Sequence, residues 1–357
     1  LAIDRSGMVL AGTHDYGVYK FNPYQQKFQH YAEGISIRRI IPAPDGSVYL
    51  DSYRKLWYQL QSNSLKLDGL GAISSQVSNF LISRSAEHWA LTNKELLRFR
   101  PGSTTTHIPI PAATFGERQP MLEDHHGNIW LAGLKGALTR VDPRSNQVHR
   151  YNFADPAKPM QHHALSISLY ESGDGMIWIG TMEGFVKADF FGGKPHFRWY
   201  RNIPNQPNSL SYNYVTGFLD DPIAPQRYLW VCTRVGLNRL DKKTGDFLHL
   251  GTEDGLPNNV IYGLLADERG NLWGSTNRGI FCLSQAFSSH NPSEKPRYTI
   301  RNFNVTDGLQ NHEFNTGALA KLPNGELAFG GVNGFNVFDP VVMLEQDYQP
   351  RTFITNI

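Results

Sequence analysis

The sequence predicts an all-β fold: a β-propeller built from four-stranded antiparallel blades. Three observations carry this: one motif returns about every 40 to 50 residues, each copy reads as four short strands, and almost no stretch reads as helix. The clearest copies are "DERGNLWGSTNRGIFCLS" from Asp267, "DHHGNIWLAGLKGALTRVDP" from Asp124 and "SGDGMIWIGTMEGFVKADF" from Ser172. Looser copies begin at Asp4, Pro44, Ser85, Gln226 and Pro323, which makes eight. Aligned on one slot they give Leu10, Tyr49, Trp89, Trp130, Trp178, Trp230, Trp273 and Ala328, at intervals of 39, 40, 41, 48, 52, 43 and 55 residues.

Within a copy, an inner apolar strand such as "YGLLAD" leads through a turn "DERG" to "NLWGST". A second turn "NRG" then leads to "IFCLS", and a more variable outer strand such as "RYTIRNF" follows. The Asp-x-x-Gly and Asn-x-Gly turns supply the positive-φ positions that tight hairpins need. The Trp slot lies on a strand buried between neighbouring blades, where a large ring contributes about 1.5–3 kcal/mol of apolar burial, so these tryptophans read as structural. Eight repeats favour eight blades. Seven is the alternative, if the first or last copy shares a blade with the opposite terminus to close the ring and remove exposed edges. Copies two and three, with "SYRKLWYQL" and "TNKELLRFR", lack the glycine after the second strand, and blade number and register are least determined there.

Composition narrows function. The 357 residues fit one closed array, and Lys+Arg 34 against Asp+Glu 32 leaves +2 with no basic stripe, which argues against nucleic acid as a partner. No stretch approaches the roughly 18 to 20 apolar residues of a membrane helix. The chain opens inside a repeat at "LAID" with no initiator Met or signal-like segment, and so reads as part of something longer. Cys232 and Cys282 both fall in expected strands; they read as buried apolar thiols, with one bond between neighbouring repeats left open.

Residues 252–284, "TEDGLPNNVIYGLLADERGNLWGSTNRGIFCLS", and 305–340, "VTDGLQNHEFNTGALAKLPNGELAFGGVNGFNVFDP", resemble the repeats of the two-component regulator propeller family. Their Asp-Gly-Leu lead-ins stand at Asp254–Leu256 and Asp307–Leu309, and the resemblance extends over nearly the whole chain. It implies a periplasmic sensor head of an inner-membrane signalling protein. In that arrangement a small β-sandwich, one membrane helix and a cytoplasmic histidine kinase or diguanylate cyclase module follow, and the full-length protein works as a homodimer. Residues 1–340 are then the propeller, and 341–357, with "QPRTFITNI", the linker and start of the sandwich.

In a blade whose first strand is innermost, the second turn and the interblade connection emerge on one face. Repeat arrays build binding surfaces there, by varying turns on a constant scaffold. The candidate ligand residues on those turns are His14, Tyr16, Tyr53, Arg54, Lys135, Glu183, Arg234, Asn277, Arg278 and Asn333, joined by the interblade stretches 152–166 and 201–213. Such a set suits a small molecule or oligosaccharide with hydroxyls or a carboxylate. The segment 284–296 is expected to project from the opposite face.

Catalysis is the competing reading. "SGDGMIW" from Ser172 resembles the structural Asp-box turn of sialidase-like propellers, and a sialidase-like site would draw on Arg54, Arg234 and Arg278 with Tyr16 and Tyr53. A protein-interaction platform is the third reading. No phosphate cradle, Ser/His/Asp order or CxxC pair is present. The adjacent histidines of "QHH" at 161–163 would point to opposite sides of an extended segment, poor geometry for one ion, so neither metal nor cofactor is expected.

Overall fold

The computed structural model describes residues 2–3, 9–13, 17–21, 28–54, 56–61, 64–67, 77–110, 119–155, 165–286 and 297–345. Seven four-stranded antiparallel sheets form the blades of a ring. Their inner strands are Ile37–Pro42 (blade I), Asn79–Ile82 (II), Met121–Glu123 (III), Ser166–Glu171 (IV), Val215–Asp220 (V), Ile261–Ala266 (VI) and Phe314–Lys321 (VII). Each packs beside the next, and the inner strand of blade VII packs beside that of blade I, so the ring is closed.

The blade count is seven rather than the favoured eight, because the first copy is divided. Its outer strand, Gln29–Tyr31, pairs with Gly334–Phe338 of the last copy, in the register Tyr31 to Phe335, His30 to Asn336 and Gln29 to Val337. Its other strands, Ala2–Ile3, Val9–Thr13 and Gly17–Phe21, make a separate three-stranded sheet. Closure is favoured by apolar packing: Phe28 meets Phe338 and Phe303 edge-on at 5.0 and 5.7 Å, and Tyr31 stacks on Phe335 at 5.3 Å.

The core is not one cluster but seven, one at each interface between adjacent blades. Tyr49, Trp89, Trp130, Trp178, Trp230, Trp273 and Ala328 are all buried on second strands, as the repeat implies. In blades III to VI the turn before that strand holds the ring by a hydrogen bond. The indole N–H of Trp130 donates to Asp124, that of Trp178 to Ser172, that of Trp230 to Asp221 and that of Trp273 to Asp267, at 2.7 to 3.1 Å. The same Asp124 and Asp267 carboxylates accept backbone N–H groups of their own turns, which explains why aspartate begins the motif.

At the second turn the hydroxyls of Thr181, Thr233 and Thr276 donate to the carbonyls of Gly184, Gly236 and Gly279. Blades I and II, which lack that glycine, close the turn the same way, from Ser52 to Leu56 and from Thr92 to Glu95. The Asp-Gly-Leu lead-ins form single 3₁₀ turns, Thr252–Asp254 and Val305–Asp307. In each the aspartate accepts the N-cap N–H, and the following Leu256 or Leu309 is buried. After blade VII a short helix, Pro340–Glu345, sets Met343 into the cluster between blades VI and VII. No helix among the described residues is long and apolar enough to cross a membrane. Both cysteines are free and buried, Cys232 between blades V and VI and Cys282 between VI and VII.

Candidate functional site

The inner strands leave a central funnel of about 640 Å³. A backbone irregularity shapes its mouth. The register between first and second strands shifts at Ile37/Arg39, Ser166/Ser168, Val215/Gly217 and Ile261/Gly263, so Arg38, Ile167, Thr216 and Tyr262 are extra residues in β-bulges. A longer irregularity between Phe314 and Leu319 does the same for Asn315. Bulges re-aim side chains, and all five line the funnel.

Four polar groups of the wall are engaged in holding the ring together. Asn315 donates to the carbonyl of Ile37, Thr216 to that of Ile261, Asn79 to that of Gln119 and Arg38 to that of Ser78, each in the next blade. Arg38 is also paired with Asp51 on the neighbouring strand of its own blade, its Nε 2.6 Å from Oδ2, with Asp51 fully buried. Burial raises the Asp51 carboxyl, opposed by the charges of Arg38 and Arg39. Removing either partner of such a pair costs about 3–5 kcal/mol, because a charge is left buried alone.

Tyr262 departs from the tie pattern. Its hydroxyl donates to Oδ1 of Asn277, on the second turn of its own blade. Burial raises its pKa and the Glu313 carboxylate raises it further, whereas Arg234 acts in the opposite sense. The Arg234 guanidinium lies 4.0 Å from the centre of the Tyr214 ring. Tyr214, Arg234, Tyr262 and Glu313, from blades V to VII, thus form one polar and aromatic side of the mouth, and Tyr53 reaches it from the second turn of blade I.

Two residues expected from sequence, Tyr53 and Arg234, line the funnel, and Asn277 touches it through Tyr262. Arg54 and Arg278 are exposed on their turns but outside the lining, so the arginine set of a sialidase-like centre is not assembled. Glu183 is half-buried, its N–H donating to Thr181. Lys135 borders a separate hollow of about 410 Å³ on blade III with Arg150 and Tyr151. The Asn333 side chain is engaged structurally: it accepts from the N–H of Gly34 and donates to the carbonyl of Gln310. His14, Tyr16 and the 161–163 histidines lie outside the described residues, as does 287–296 of the segment expected on the opposite face.

Among the described residues no group of three His, Cys, Asp or Glu side chains is placed to hold a metal. The sequence reading missed Arg38, Tyr214, Tyr262, Glu313 and Asn315. For Tyr214, Tyr262, Glu313 and Asn315 the signal is a glycine near the start of the inner strand, as in "YVTG", "VIYG" and "EFNTG", which marks a bulge; Arg38 has no such signal.

Residues 255–278, running from the Asp-Gly-Leu lead-in of blade VI to its second turn, match the family described as Two component regulator propeller. The match covers one copy of the repeat, that of blade VI. A curated relative, histidine kinase P4 of Formosa agariphila, is 26% identical over 282 residues, covering 64% of this chain and 19% of the relative. The chain therefore spans about a fifth of that relative's length. Among solved structures it is similar to the extracellular domain of the putative one component system BT4673 from B. thetaiotaomicron. That likeness has a TM-score of 0.63 at 16% identity, over 88% of this chain and 40% of the other. It is also similar to virginiamycin B lyase from Staphylococcus aureus, with a TM-score of 0.61 at 13% identity, over 87% of this chain and 98% of the lyase. At these identities both likenesses speak to fold alone.

Proposed function

We propose that this regulator propeller is the extracytoplasmic sensor domain of a membrane-anchored bacterial signalling protein, non-catalytic in itself, which binds a small polar molecule or glycan fragment in its central funnel. The observation that carries this is the wall itself: a closed ring whose own ties engage Arg38, Asn79, Thr216 and Asn315, with Tyr214, Arg234 and Glu313 among the polar groups that line the mouth. A cavity of this size with a few convergent polar groups among aromatic rings suits a small ligand. The likeness to extracellular and histidine kinase proteins supports the placement. Transmission to a cytoplasmic output requires that the ligand bind the two signalling states unequally, which a homodimer of the full-length protein would read as a change in head placement.

The test is the thermal midpoint of this chain against sugars, uronic acids, amino acids and peptides, since a ligand bound only by the folded state raises it by mass action. A selective rise that disappears in Arg234→Ala is the expected result. No rise with any compound would remove the funnel from consideration. Catalytic turnover of a compound that binds would replace the sensor by the enzyme reading, for which the lyase fold is a precedent in architecture alone.

A further inference from the structure

The charges at the mouth have an uncommon arrangement. Arg234 and Glu313 are both exposed, and both act on the hydroxyl of Tyr262, one lowering and one raising its pKa. Yet the two side chains are not paired with each other, and neither has an ion pair or side-chain hydrogen bond to any described residue; the one recorded contact is that of Arg234 with the face of Tyr214. Two further charges line the wall: Arg38 is held by buried Asp51 and cannot serve a ligand without leaving that carboxylate alone, and half-buried Arg39 beside it acts on the same carboxyl. Exposed charges of this kind are solvated by water. A ligand filling the mouth strips that water, and each charge then needs a partner of opposite sign.

We infer that the ligand is a zwitterion, an α-amino acid or short peptide, whose carboxylate meets Arg234 and whose ammonium meets Glu313. This rests on the funnel being the sensing site, as proposed above, and names its ligand class. A neutral sugar would desolvate both charges against hydroxyls. A simple anion would satisfy Arg234 and confront Glu313 with a like charge. The planar guanidinium fork, steadied on the Tyr214 ring, matches a carboxylate in two parallel hydrogen bonds.

The experiment is calorimetric titration of this chain with the common L-amino acids and a set of dipeptides, beside glucuronate and glucose. The best binder is then repeated as its N-acetyl and C-amide forms on wild type, Arg234→Gln and Glu313→Gln. Both substitutions are at exposed positions; Glu313→Gln removes a charge at nearly constant shape, and Arg234→Gln removes one with a shorter amide side chain. The expected result is a crossed pattern. N-acetylation weakens wild-type binding at least tenfold but has little further effect in Glu313→Gln, and amidation does so in wild type but not in Arg234→Gln. Glucuronate or glucose bound in the funnel with no amino compound binding would overturn the zwitterion and leave the sensing site standing. Additive losses with no crossed pattern would also overturn it. No binding by any probe would overturn both the ligand class and the site.

Discussion

Trp89 differs from the other second-strand tryptophans of blades II to VI: its buried indole N–H has no partner among the described residues. The position six residues earlier, aspartate or serine in three of its counterparts, is Ser83, whose hydroxyl lies 2.9 Å from that of Ser85 and also accepts the N–H of Glu87. An unmet buried donor costs about 1–3 kcal/mol. Ser83→Asp is therefore expected to supply the missing acceptor and stabilise the protein by about 1 kcal/mol, read as a higher urea midpoint. Asp267→Ala, which removes the acceptor from Trp273 and from two turn N–H groups, is expected to cost about 2 kcal/mol. A drop in midpoint for Ser83→Asp would mean that the blade II turn cannot adopt the Asp124 geometry. Burial also decides the behaviour of the thiols. It raises Cys232, and Cys282 is pushed up to about 12, so neither is expected to react with a disulfide reagent at pH 8 until the chain unfolds. Tyr298 is likewise raised to about 12 by burial, against the pull of Arg239. The folded state holds these protons after the unfolded chain has released them. Their contribution is intact at neutral pH and declines as pH rises from about 9 toward 12, which an alkaline series of melting curves would register.

At the scale of the element, the second turn shows why its glycine is demanded twice. Gly279 has φ of 95°, and a side chain there would collide with the carbonyl oxygen of Phe303 on the outer strand. Its N–H also donates to the carbonyl of His312, in the connection leading to blade VII. Gly184, Gly236 and Gly334 donate equivalently to Asn213, Asn259 and Ile35, so in blades IV to VII this turn fastens the blade to the next connection. Gly279→Ala is expected to cost about 2–4 kcal/mol, combining left-handed strain with displaced backbone. Gly325→Ala also stands at positive φ but in open space, and is expected to cost about 1 kcal/mol. Equal costs for the two would show that strain, not the approach of the outer strand, decides the turn. The sequence pattern displayed this glycine but not its cause, because the oxygen it avoids belongs to a strand more than twenty residues away.

At the scale of the molecule, stability depends on closing the ring. Removing residues 1–23 takes away the three-stranded sheet and leaves Phe28 and Gln29–Tyr31, so one cooperative melt at an unchanged midpoint is expected. Removing residues 1–32 also strips Phe28 and Tyr31 from the interfaces of blade VII, at about 1.5–3 kcal/mol for each large ring, and bares the edge of Gly334–Phe338. The midpoint is then expected to fall by many degrees and aggregation to appear. Equal stability of the two truncations would show that the closing strand adds little.

By itself the sequence determined the repeat, the four-strand blade and the apolar Trp slot, because each is written in the pattern of one copy. Tertiary structure decided the rest. Whether Gln29–Tyr31 completes its own sheet or the last one is a competition between edges more than 300 residues apart, which local pattern cannot weigh. The site was legible only where its residues lie on second turns, as Tyr53 and Arg234 do. Tyr262, Arg38 and Asn315 enter the funnel because bulges turn them inward. Which polar groups then remain open to a ligand depends on ties between blades, formed only once the ring has closed.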